Sequence, residues 1–526
     1  MRNGYPARNT KLQTSIRLPV IANAHSVEQV TPVRDLRIVF VHTPMATLRV
    51  EERCNFWKGF DLRYHATHPG LRHMRKNLWE LPHWMNWLAG VLVDAGFSNL
   101  ATLDFYTAEC ALSGVDQARV LQTLKDHPAD VYLFSPMTPN LPFAYEIADL
   151  VKVLYPRSKT IFGGVVATPL RRVVAAHPSV DYVVFDRGEY ALPRLLAAIS
   201  AFTPSNELAK ISNLCFRDAA GSVVESSTQY PSISVDRLPF PKVDLFPSDT
   251  GEDLRYLRQV YALGCPYTCS FCTIQTIGRK ASYFPIDRVL AEIRAYRAHY
   301  GEHHNIYFGD ETFTVNPERT LALCDALEAE GNIYYDCQTR LNLLTDRRIL
   351  DALRRSGCRW VEVGLETFDQ ESQNLFKHRV KLDRLLDILR SVQDAGLPVC
   401  SFLVNGFPNQ TVDDMRRSID FGCELIENGL LQATYLFGLV PYPGSGMYNR
   451  PEQHGMTIHH HDYKLYHEDM LPVYSTPYAT PDEIYSVFLY GVATLGRAMT
   501  TQPHFGTLPA SSDHDAYGTF WQDPHI

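Results

Sequence analysis

Buried-strand segments alternate with amphipathic helices twice along this chain, and no other feature of the sequence limits its fold so strongly. The first series has strand patterns at 36–41, 130–134, 159–162 and 182–185, with helical patterns at 81–96 and 143–155 between them. The second series has strand patterns near 259–263, 305–309, 333–338, 360–365, 399–405 and 432–438. Strands that alternate with helices are typical of parallel sheets covered by helices. We therefore expect two α/β domains, each with ligand sites at the carboxyl ends of its strands.

The two series predict domains of different type. The first predicts a doubly wound, Rossmann-like sheet over 33–205. The second predicts a partial, open-sided (β/α)6 barrel over 251–445, because six βα units are fewer than the eight of a closed TIM barrel. The remaining ranges are predicted as a loose tail at 1–32, a linker at 206–250 and a small irregular C-terminal region at 446–526.

Two aromatic-rich segments accompany these domains. Residues 44–82 are too many for an ordinary turn, so we expect them to cover another part of the fold or to form an additional helix. The C-terminal region contains one predicted helix, at 481–499. The aromatic and histidine side chains of both segments predict that they line or cover a substrate pocket. The adjacent histidines 459–461 cannot all point one way on a helix or strand, which favours a solvated loop.

Charge and composition disfavour several classes of protein. The 526 residues have a net charge of −8 and no run of lysine and arginine, which makes nucleic acid or an anionic membrane an improbable partner. No uncharged apolar stretch approaches the roughly 18 residues of a membrane helix, and residues 1–25 lack a secretory signal pattern. We therefore expect a cytoplasmic protein. Eight of the 11 cysteines are scattered singly, which predicts small buried side chains and no disulfide framework.

The other three cysteines, Cys265, Cys269 and Cys272, stand within eight residues directly after the first strand of the second series. Three thiolates at this spacing can hold three irons of a [4Fe–4S] cluster and leave the fourth iron open to a small molecule. The alternative is a zinc knuckle, which needs four nitrogen or sulfur ligands. No second Cys-x-x-Cys or paired histidines stand at finger spacing, so the sequence favours the cluster.

With Phe271 before its last cysteine, this Cys-x3-Cys-x2-Cys motif resembles the signature of the radical S-adenosylmethionine (SAM) superfamily. The resemblance covers about residues 255–445. It implies that the SAM amino and carboxylate groups chelate the open iron. It also implies that an electron from the cluster cleaves SAM to methionine and a 5′-deoxyadenosyl radical, which takes hydrogen from a substrate. An external electron donor such as flavodoxin or ferredoxin is implied as a partner.

Residues after later strands resemble the SAM contacts of that superfamily. Gly309-Asp310-Glu311 resembles its Gly-Gly-Glu-like loop, which holds the SAM ammonium, with Asp310 in place of the second glycine. Arg340 stands where relatives contact the SAM carboxylate, and Glu366 where they contact the ribose. Phe271 joins this predicted SAM set. For each residue, a surface turn, core packing or a structural salt bridge is the alternative interpretation.

The upstream domain resembles the cobalamin-binding subgroup of the superfamily at two places. Ser135 and Met137 follow its third predicted strand in a Ser-x-Leu-like motif, and Gly163-Gly164 follows the fourth. Glycines there let a nucleotide tail approach the backbone closely. By resemblance we expect these four residues to contact cobalamin. A vestigial domain that no longer binds the corrin is the alternative.

One cobalamin motif of that subgroup is missing. His42 would be the cobalt ligand of an Asp-x-His-x-x-Gly sequence, but Phe40 and Met45 occupy the aspartate and glycine positions. His42 is therefore interpreted as a strand-end histidine. The resemblance then implies that the lower axial position of the cobalt is left to water or vacant.

The resemblance implies a cobalamin-dependent radical SAM enzyme that methylates an unactivated carbon of a small molecule. One SAM recharges cobalt with a methyl group, and a second supplies the radical. A non-methylating member that performs cyclisation, ring contraction or dehydration is the first alternative. A non-catalytic Fe–S redox or sensor protein is the alternative from another class. No residue is assigned as general acid or base.

Overall fold

Two parallel sheets organise this chain in the computed structural model. The residues it describes are 35–44, 51–68, 78–79, 81–105, 115–226, 235–248, 253–254, 256–276, 278, 280–301, 305–377 and 380–501. The predicted tail at 1–32 and the end of the C-terminal region lie outside these residues. The predicted α/β class with two sheets is confirmed.

The strands are short, as parallel strands between helices commonly are. In chain order they are β1 (Ile38–His42), β2 (Leu78–Trp79), β3 (Leu100–Asp104), β4 (Val131–Phe134), β5 (Lys159–Phe162), β6 (Tyr182–Val184), β7 (Leu214–Arg217), β8 (Val223–Glu225), β9 (Asp253–Leu254), β10 (Leu257–Gln259), β11 (Ala262–Leu263), β12 (Ser282–Tyr283), β13 (Ile306–Phe308), β14 (Tyr335–Thr339), β15 (Cys358–Glu366), β16 (Val399–Asn405), β17 (Ala433–Gly438), β18 (Thr457–Ile458) and β19 (Tyr474–Ser475).

The helices follow most of the long strands. In chain order they are α1 (Glu51–Thr67), α2 (His83–Asp94), α3 (Gln117–Asp126), α4 (Leu141–Leu154), α5 (Gly164–Ala167), α6 (Arg171–Ala176), α7 (Gly188–Ser200), α8 (Ser205–Leu208), α9 (Ile286–Tyr300), α10 (Pro317–Glu330), α11 (Arg347–Arg355), α12 (Gln370–Ser372), α13 (Leu385–Asp394), α14 (Val412–Glu427), α15 (Gly446–Asn449) and α16 (Pro481–Thr501). A π-turn, Gln373–Lys377, continues α12.

The first sheet has the strand order β3-β1-β4-β5-β6-β7-β8. Strands β3, β1, β4, β5 and β6 pair in parallel, which confirms the doubly wound arrangement. Strand β7 pairs with β6, and β8 with β7, in the antiparallel sense. The hairpin β7–β8 falls in the range 206–250, which the sequence assigned to a linker. Part of that range therefore extends the first sheet.

The second sheet has the order β10-β13-β14-β15-β16-β17, and all of its pairs are parallel. Five of its six strands lie where the sequence predicts them. The first, β10, only reaches Gln259, where the predicted strand 259–263 begins, and Ala262–Leu263 pairs with β12 outside this sheet. The neighbours in space are also neighbours in the series, as in a (β/α) barrel. Strands β10 and β17 form the two edges of this sheet in the described part of the chain, so the arrangement matches the predicted open-sided barrel.

Helix α1 lies in the aromatic-rich segment 44–82 and closes the amino end of the second sheet. The Phe60 ring packs 4.2 Å from the Tyr435 ring and 5.3 Å from the Trp360 ring. The buried side chains of Tyr64 and His68 hydrogen-bond the Asp336 carboxylate at 3.1 and 2.9 Å.

Asp336 is the second residue of β14 and Trp360 the third of β15, so helix α1 meets the sheet near the starts of its strands. We expected segment 44–82 to line or cover a substrate pocket. Its described helix forms a floor at the amino ends, opposite the carboxyl ends where barrel sites lie, and the expectation that the segment lines a substrate pocket stays a prediction.

Helix α16 corresponds to the helix predicted at 481–499 and packs along α1. Gly59 and Gly496 allow this close approach, since a Cβ added at Gly59 would lie 2.9 Å from the Gly496 carbonyl oxygen. The buried Arg63 guanidinium donates to the Met499 carbonyl at 2.7 Å and ties the two helices together. None of the described helices combines the length and apolarity required to cross a bilayer.

Candidate functional site

The three clustered cysteines lie on the loop that follows β11. Cys265 and Cys269 are buried, and Cys272 is half-buried. The loop begins at Gly264, whose φ is 91°. A Cβ added there would lie 2.6 Å from the Lys280 carbonyl oxygen, so only glycine fits this close backbone approach. The sequence thus forms a compact loop with all three sulfurs in one short segment.

The three sulfurs lie near one another and near the ends of β13 and β14. Burial raises the pKa of the Cys272 thiol to about 12, and the neighbouring thiols of Cys269 and Cys265 add to this shift. The Cys269 sulfur accepts a hydrogen bond from Arg340 Nη1 at 3.3 Å. The Cys265 sulfur lies 3.6 Å from the Thr312 hydroxyl.

Among the residues described, no three histidine, cysteine, aspartate or glutamate side chains are arranged to hold a metal ion. A cubane cluster sets a different requirement, because it takes one sulfur at each of three corners.

The exposed histidines His459 and His460 fit the predicted solvated loop, and His461 Nδ1 lies 2.9 Å from the Tyr466 hydroxyl.

The π-turn Gln373–Lys377 holds the cysteine loop from the side of β15. The Phe376 carbonyl accepts from the Ser270 N–H at 2.9 Å. The Lys377 carbonyl accepts from Arg340 Nη2 at 3.2 Å. Because π-turns are uncommon and concentrate at functional sites, this contact marks the segment as part of the site.

Glu366 and Lys377 form a buried ion pair beside this loop. The Lys377 ammonium lies 2.6 Å from Glu366 Oε1, and the two side chains are 5% and 12% exposed. Glu366 has a φ of 65°, a left-handed conformation that is unusual for a residue with a side chain. Sequence reasoning did not identify Lys377, because no motif marks a lysine eleven residues after the glutamate.

Glu311 has a buried carboxylate that is only partly satisfied. It accepts a hydrogen bond from the Gly264 N–H, next to Cys265, and burial raises its pKa. Its second oxygen, Oε2, is buried without a hydrogen-bond partner in the described structure. A buried carboxylate oxygen of this kind is costly unless a cation or donor joins it. Glu311 therefore fits the binding of an ammonium group.

Asp310 has a different task from its neighbour. Its carboxylate accepts from the backbone N–H groups of Tyr261 and Ala262, which lead into the cysteine loop. Burial raises the pKa of Asp310 to about 8. The structure thus gives this predicted SAM contact a structural role in fixing the loop. Gly309 is packed tightly, since an added Cβ would lie 2.7 Å from the Arg258 guanidinium.

Phe271 packs within the loop system of the barrel. Its ring lies 5.8 Å from the Phe407 ring in an edge-on arrangement. Phe407 in turn stacks on Phe376 of the π-turn at 5.3 Å. The aromatic side chain before the last cysteine therefore joins the cysteine loop to the loop after β16.

The predicted cobalamin residues meet at the carboxyl ends of β4 and β5. Gly164 has a φ of 83°, and a Cβ added there would collide with the Ser135 hydroxyl. A Cβ added at Gly163 would lie 3.1 Å from the Val184 carbonyl oxygen. Met137 is 51% exposed at the same edge. Ser135, Gly163 and Gly164 are half-buried and Met137 is exposed, so this edge, called the cradle below, presents accessible backbone that a nucleotide tail can approach. The Cβ positions of the two glycines themselves are occupied by the Ser135 hydroxyl and the Val184 carbonyl.

The edges of the two sites approach each other. A Cβ added at Gly444, in the turn after β17, would lie 2.7 Å from Thr276 and 3.3 Å from Pro169. Thr276 follows Cys272 by four residues, and Pro169 follows Gly164 by five. The carboxyl edge of the first sheet therefore contacts the barrel near the cysteine loop.

His42 ends β1 at the same edge of the first sheet. Its Nδ1 lies 3.0 Å from the Asp104 carboxylate at the end of β3. This neighbouring-strand contact agrees with the interpretation of His42 as a strand-end histidine.

Two family models match the chain. The model of the radical SAM superfamily matches residues 260–422, and the model of the B12-binding domain matches residues 80–196. These ranges contain the cysteine loop and the Gly163-Gly164 cradle, respectively.

Relatives and solved structures agree with these matches. An uncharacterized methyltransferase of Pyrococcus horikoshii is 25% identical over 62% of this chain and 71% of its own length. An anaerobic magnesium-protoporphyrin IX monomethyl ester cyclase of Cereibacter sphaeroides is 23% identical over 64% of this chain and 55% of its own length. The radical SAM methyltransferase TsrM of Kitasatospora setae, solved with tryptophan and a SAM analogue, has a TM-score of 0.62 at 14% identity. That match covers 92% of this chain and 97% of TsrM and shows a shared fold.

Proposed function

We propose that this chain, which belongs to the radical SAM superfamily and carries a B12-binding domain ahead of its radical SAM domain, methylates an unactivated carbon of a small molecule. The observation that carries this proposal is the cysteine loop at the strand ends, beside the unpartnered carboxylate oxygen of Glu311. The cobalamin cradle on the adjoining edge supports methyl transfer as the reaction class.

In this proposal Cys265, Cys269 and Cys272 hold a [4Fe–4S] cluster. Cobalamin lies in the cradle of Ser135, Met137 and Gly163-Gly164. When bound, the cluster would supply the electron that cleaves SAM, and cobalamin would carry the methyl group. An external protein of the flavodoxin or ferredoxin type is proposed to deliver the electron.

Three side chains are proposed to hold SAM at the cysteine loop. The Glu311 carboxylate accepts the SAM ammonium, because its Oε2 is buried and lacks a hydrogen-bond partner among the described residues. Arg340 lies against the Cys269 sulfur, where its guanidinium can face the SAM carboxylate. Glu366, kept in place by Lys377, accepts from the ribose hydroxyls.

A radical reaction without methyl transfer is the second candidate. It is favoured by the similarity to the magnesium-protoporphyrin IX monomethyl ester cyclase. Both candidates use the same residues of this chain for SAM, so the fate of the methyl group separates them.

Methyl-labelled SAM tests the proposal without knowledge of the substrate. Anaerobically purified protein, reconstituted with iron, sulfide and cobalamin, is incubated with the labelled SAM and a reductant. We expect 5′-deoxyadenosine and label on the corrin. 5′-Deoxyadenosine with label only in methionine would favour the non-methylating candidate. No 5′-deoxyadenosine from protein with a full cluster would favour a redox or sensor protein.

Replacing Lys377 by methionine is expected to weaken SAM binding about tenfold, which corresponds to about 1.4 kcal/mol. Glu366 would lose its partner at 2.6 Å and its fixed orientation. Iron content should be retained, since the backbone carbonyl of residue 377 still accepts from Arg340. Equilibrium dialysis with SAM and iron analysis measure the two quantities. Unchanged SAM affinity in Lys377→Met would contradict the positioning role.

Lys210→Met is the matched control for this experiment. Lys210 pairs with Glu207 at 2.5 Å, but this pair is exposed and outside the barrel. We expect its removal to leave SAM affinity and iron content unchanged, because exposed ion pairs contribute little.

A further inference from the structure

The inner face of the second sheet carries an aromatic wall between the α1 floor and the strand ends. The rings of Phe402 and Tyr435 lie 5.3 Å apart at an angle of 22°, and those of Tyr435 and Phe437 lie 5.9 Å apart at 10°. All three are half-buried although they face the inside of the sheet. This partial exposure leaves part of each ring accessible above the floor. Rings this close and nearly parallel are offset-stacked on one another, so the wall offers mainly ring edges, against which a flat apolar group can pack edge-to-face.

Strands β13, β14 and β15 present polar side chains to the same space, across from the aromatic wall. The Tyr307 hydroxyl donates to Glu362 at 2.8 Å and accepts from the Gln338 amide. Burial raises the pKa of Tyr307, and the Glu362 carboxylate adds to this shift. Glu362 lies two residues before Gly364, which pairs with Phe402 of the aromatic wall, so both sets of side chains lie on the inner face of the sheet and face one chamber.

Arg258 supplies the positive charge of this chamber. Its guanidinium lies over the Tyr307 ring, 5.6 Å from the ring centre, and against Gly309. Arg258 is half-buried, and none of the described carboxylates forms an ion pair with it. By contrast, Arg288 on α9 pairs with Glu292 at 2.8 Å. A half-buried guanidinium is well placed to bind a ligand carboxylate.

We propose that the inner chamber, lined by Arg258, Tyr307, Phe402, Tyr435 and Phe437, binds a planar apolar substrate with an anionic group. The flat body packs on the three rings, and a carboxylate pairs with Arg258. This inference rests on the proposed function, because it names the substrate class of the same barrel. It places the substrate between the floor and Glu311, which follows by two positions the Gly309 that the Arg258 guanidinium packs against.

Three simple probes separate the parts of this inference. 2-Naphthoate is planar and anionic, 2-naphthamide is planar and neutral, and cyclohexanecarboxylate is anionic without a flat ring system. Binding to the full-length protein with its cluster is measured by anaerobic calorimetry. We expect one saturable site for 2-naphthoate and at least about tenfold weaker binding of the other two probes.

Two variants with matched controls locate the site. Arg258→Gln should weaken 2-naphthoate about tenfold and leave 2-naphthamide unchanged. Phe437→Leu should weaken both planar probes by a few-fold, because one ring of the wall is lost. Arg354→Gln, on the exposed side of α11, and Phe368→Leu, which packs on Phe421 outside the chamber, should behave as the parent protein.

The binding measurements test the substrate class alone, and their outcomes differ from those that test the proposed function. The inference would be overturned if 2-naphthoate did not bind. It would also be overturned if 2-naphthoate bound equally tightly to the parent protein and to Arg258→Gln with the cluster intact. Binding of cyclohexanecarboxylate as tightly as 2-naphthoate would also overturn the inference. The proposed function is judged instead by 5′-deoxyadenosine formation and corrin labelling in the parent protein. The substrate class can therefore fail while radical formation stands, and the reverse is also possible.

Discussion

Replacing Cys269 by alanine is expected to remove the iron–sulfur cluster and to abolish 5′-deoxyadenosine formation. Two thiolates cannot hold three corners of a cubane, so iron and sulfide should fall close to background after anaerobic reconstitution. The cluster absorbance should disappear in parallel. The effect on SAM cleavage should be complete within the detection limit, because no electron can reach SAM without the cluster.

Cys423→Ala is the control for a general effect of cysteine removal. Cys423 lies on α14 at the outer face of the barrel and is also partly buried. We expect this variant to keep its iron and its SAM cleavage. Full iron content in Cys269→Ala, or equal loss in both variants, would mean that the cysteine loop does not hold the cluster.

The strands and the cysteine loop were predictable because their signals are contiguous in sequence. Most of the barrel strands contain short apolar segments, such as Ile306–Phe308, and the three ligand candidates stand on one loop. The strand β3 was missed, because Leu100–Asp104 mixes apolar and polar residues as a half-buried strand does. The pairing of the hairpin β7–β8 with β6 was not predicted, because it depends on contacts across the sheet and not on the hairpin's own sequence.

Several contacts of the site residues could not be predicted from the sequence. Asp310 and Glu311 are adjacent in a motif, yet one carboxylate binds backbone N–H groups and the other points to the cysteine loop. The directions of these two side chains depend on the local backbone conformation, which the motif does not specify. Lys377 was missed because its partner Glu366 is reached through space, across a bulge and a π-turn. The floor formed by α1 could likewise not be predicted, because the partners of Tyr64 and His68 are more than two hundred residues away in sequence.

Replacing Gly164 by valine is expected to prevent cobalamin binding while the cluster is retained. A side chain at this position would collide with the Ser135 hydroxyl and fill the cradle between β4 and β5. The left-handed φ of 83° adds backbone strain, which must be separated from the loss of space. Gly221→Val is the matched control, because Gly221 has a φ of 81° and no atom of the described residues lies within 4 Å of a Cβ added there.

The measurement is the cobalt and corrin absorbance that remain after reconstitution with hydroxocobalamin and desalting. We expect about one cobalamin per chain in Gly221→Val and at least about tenfold less in Gly164→Val, with equal iron in both. Equal cobalamin in the two variants would place the corrin elsewhere or show that strain alone is responsible. A selective loss would connect the cradle of the first sheet to the methyl carrier, because both glycines have nearly equal positive φ values, whereas only Gly164 is closely packed by Ser135.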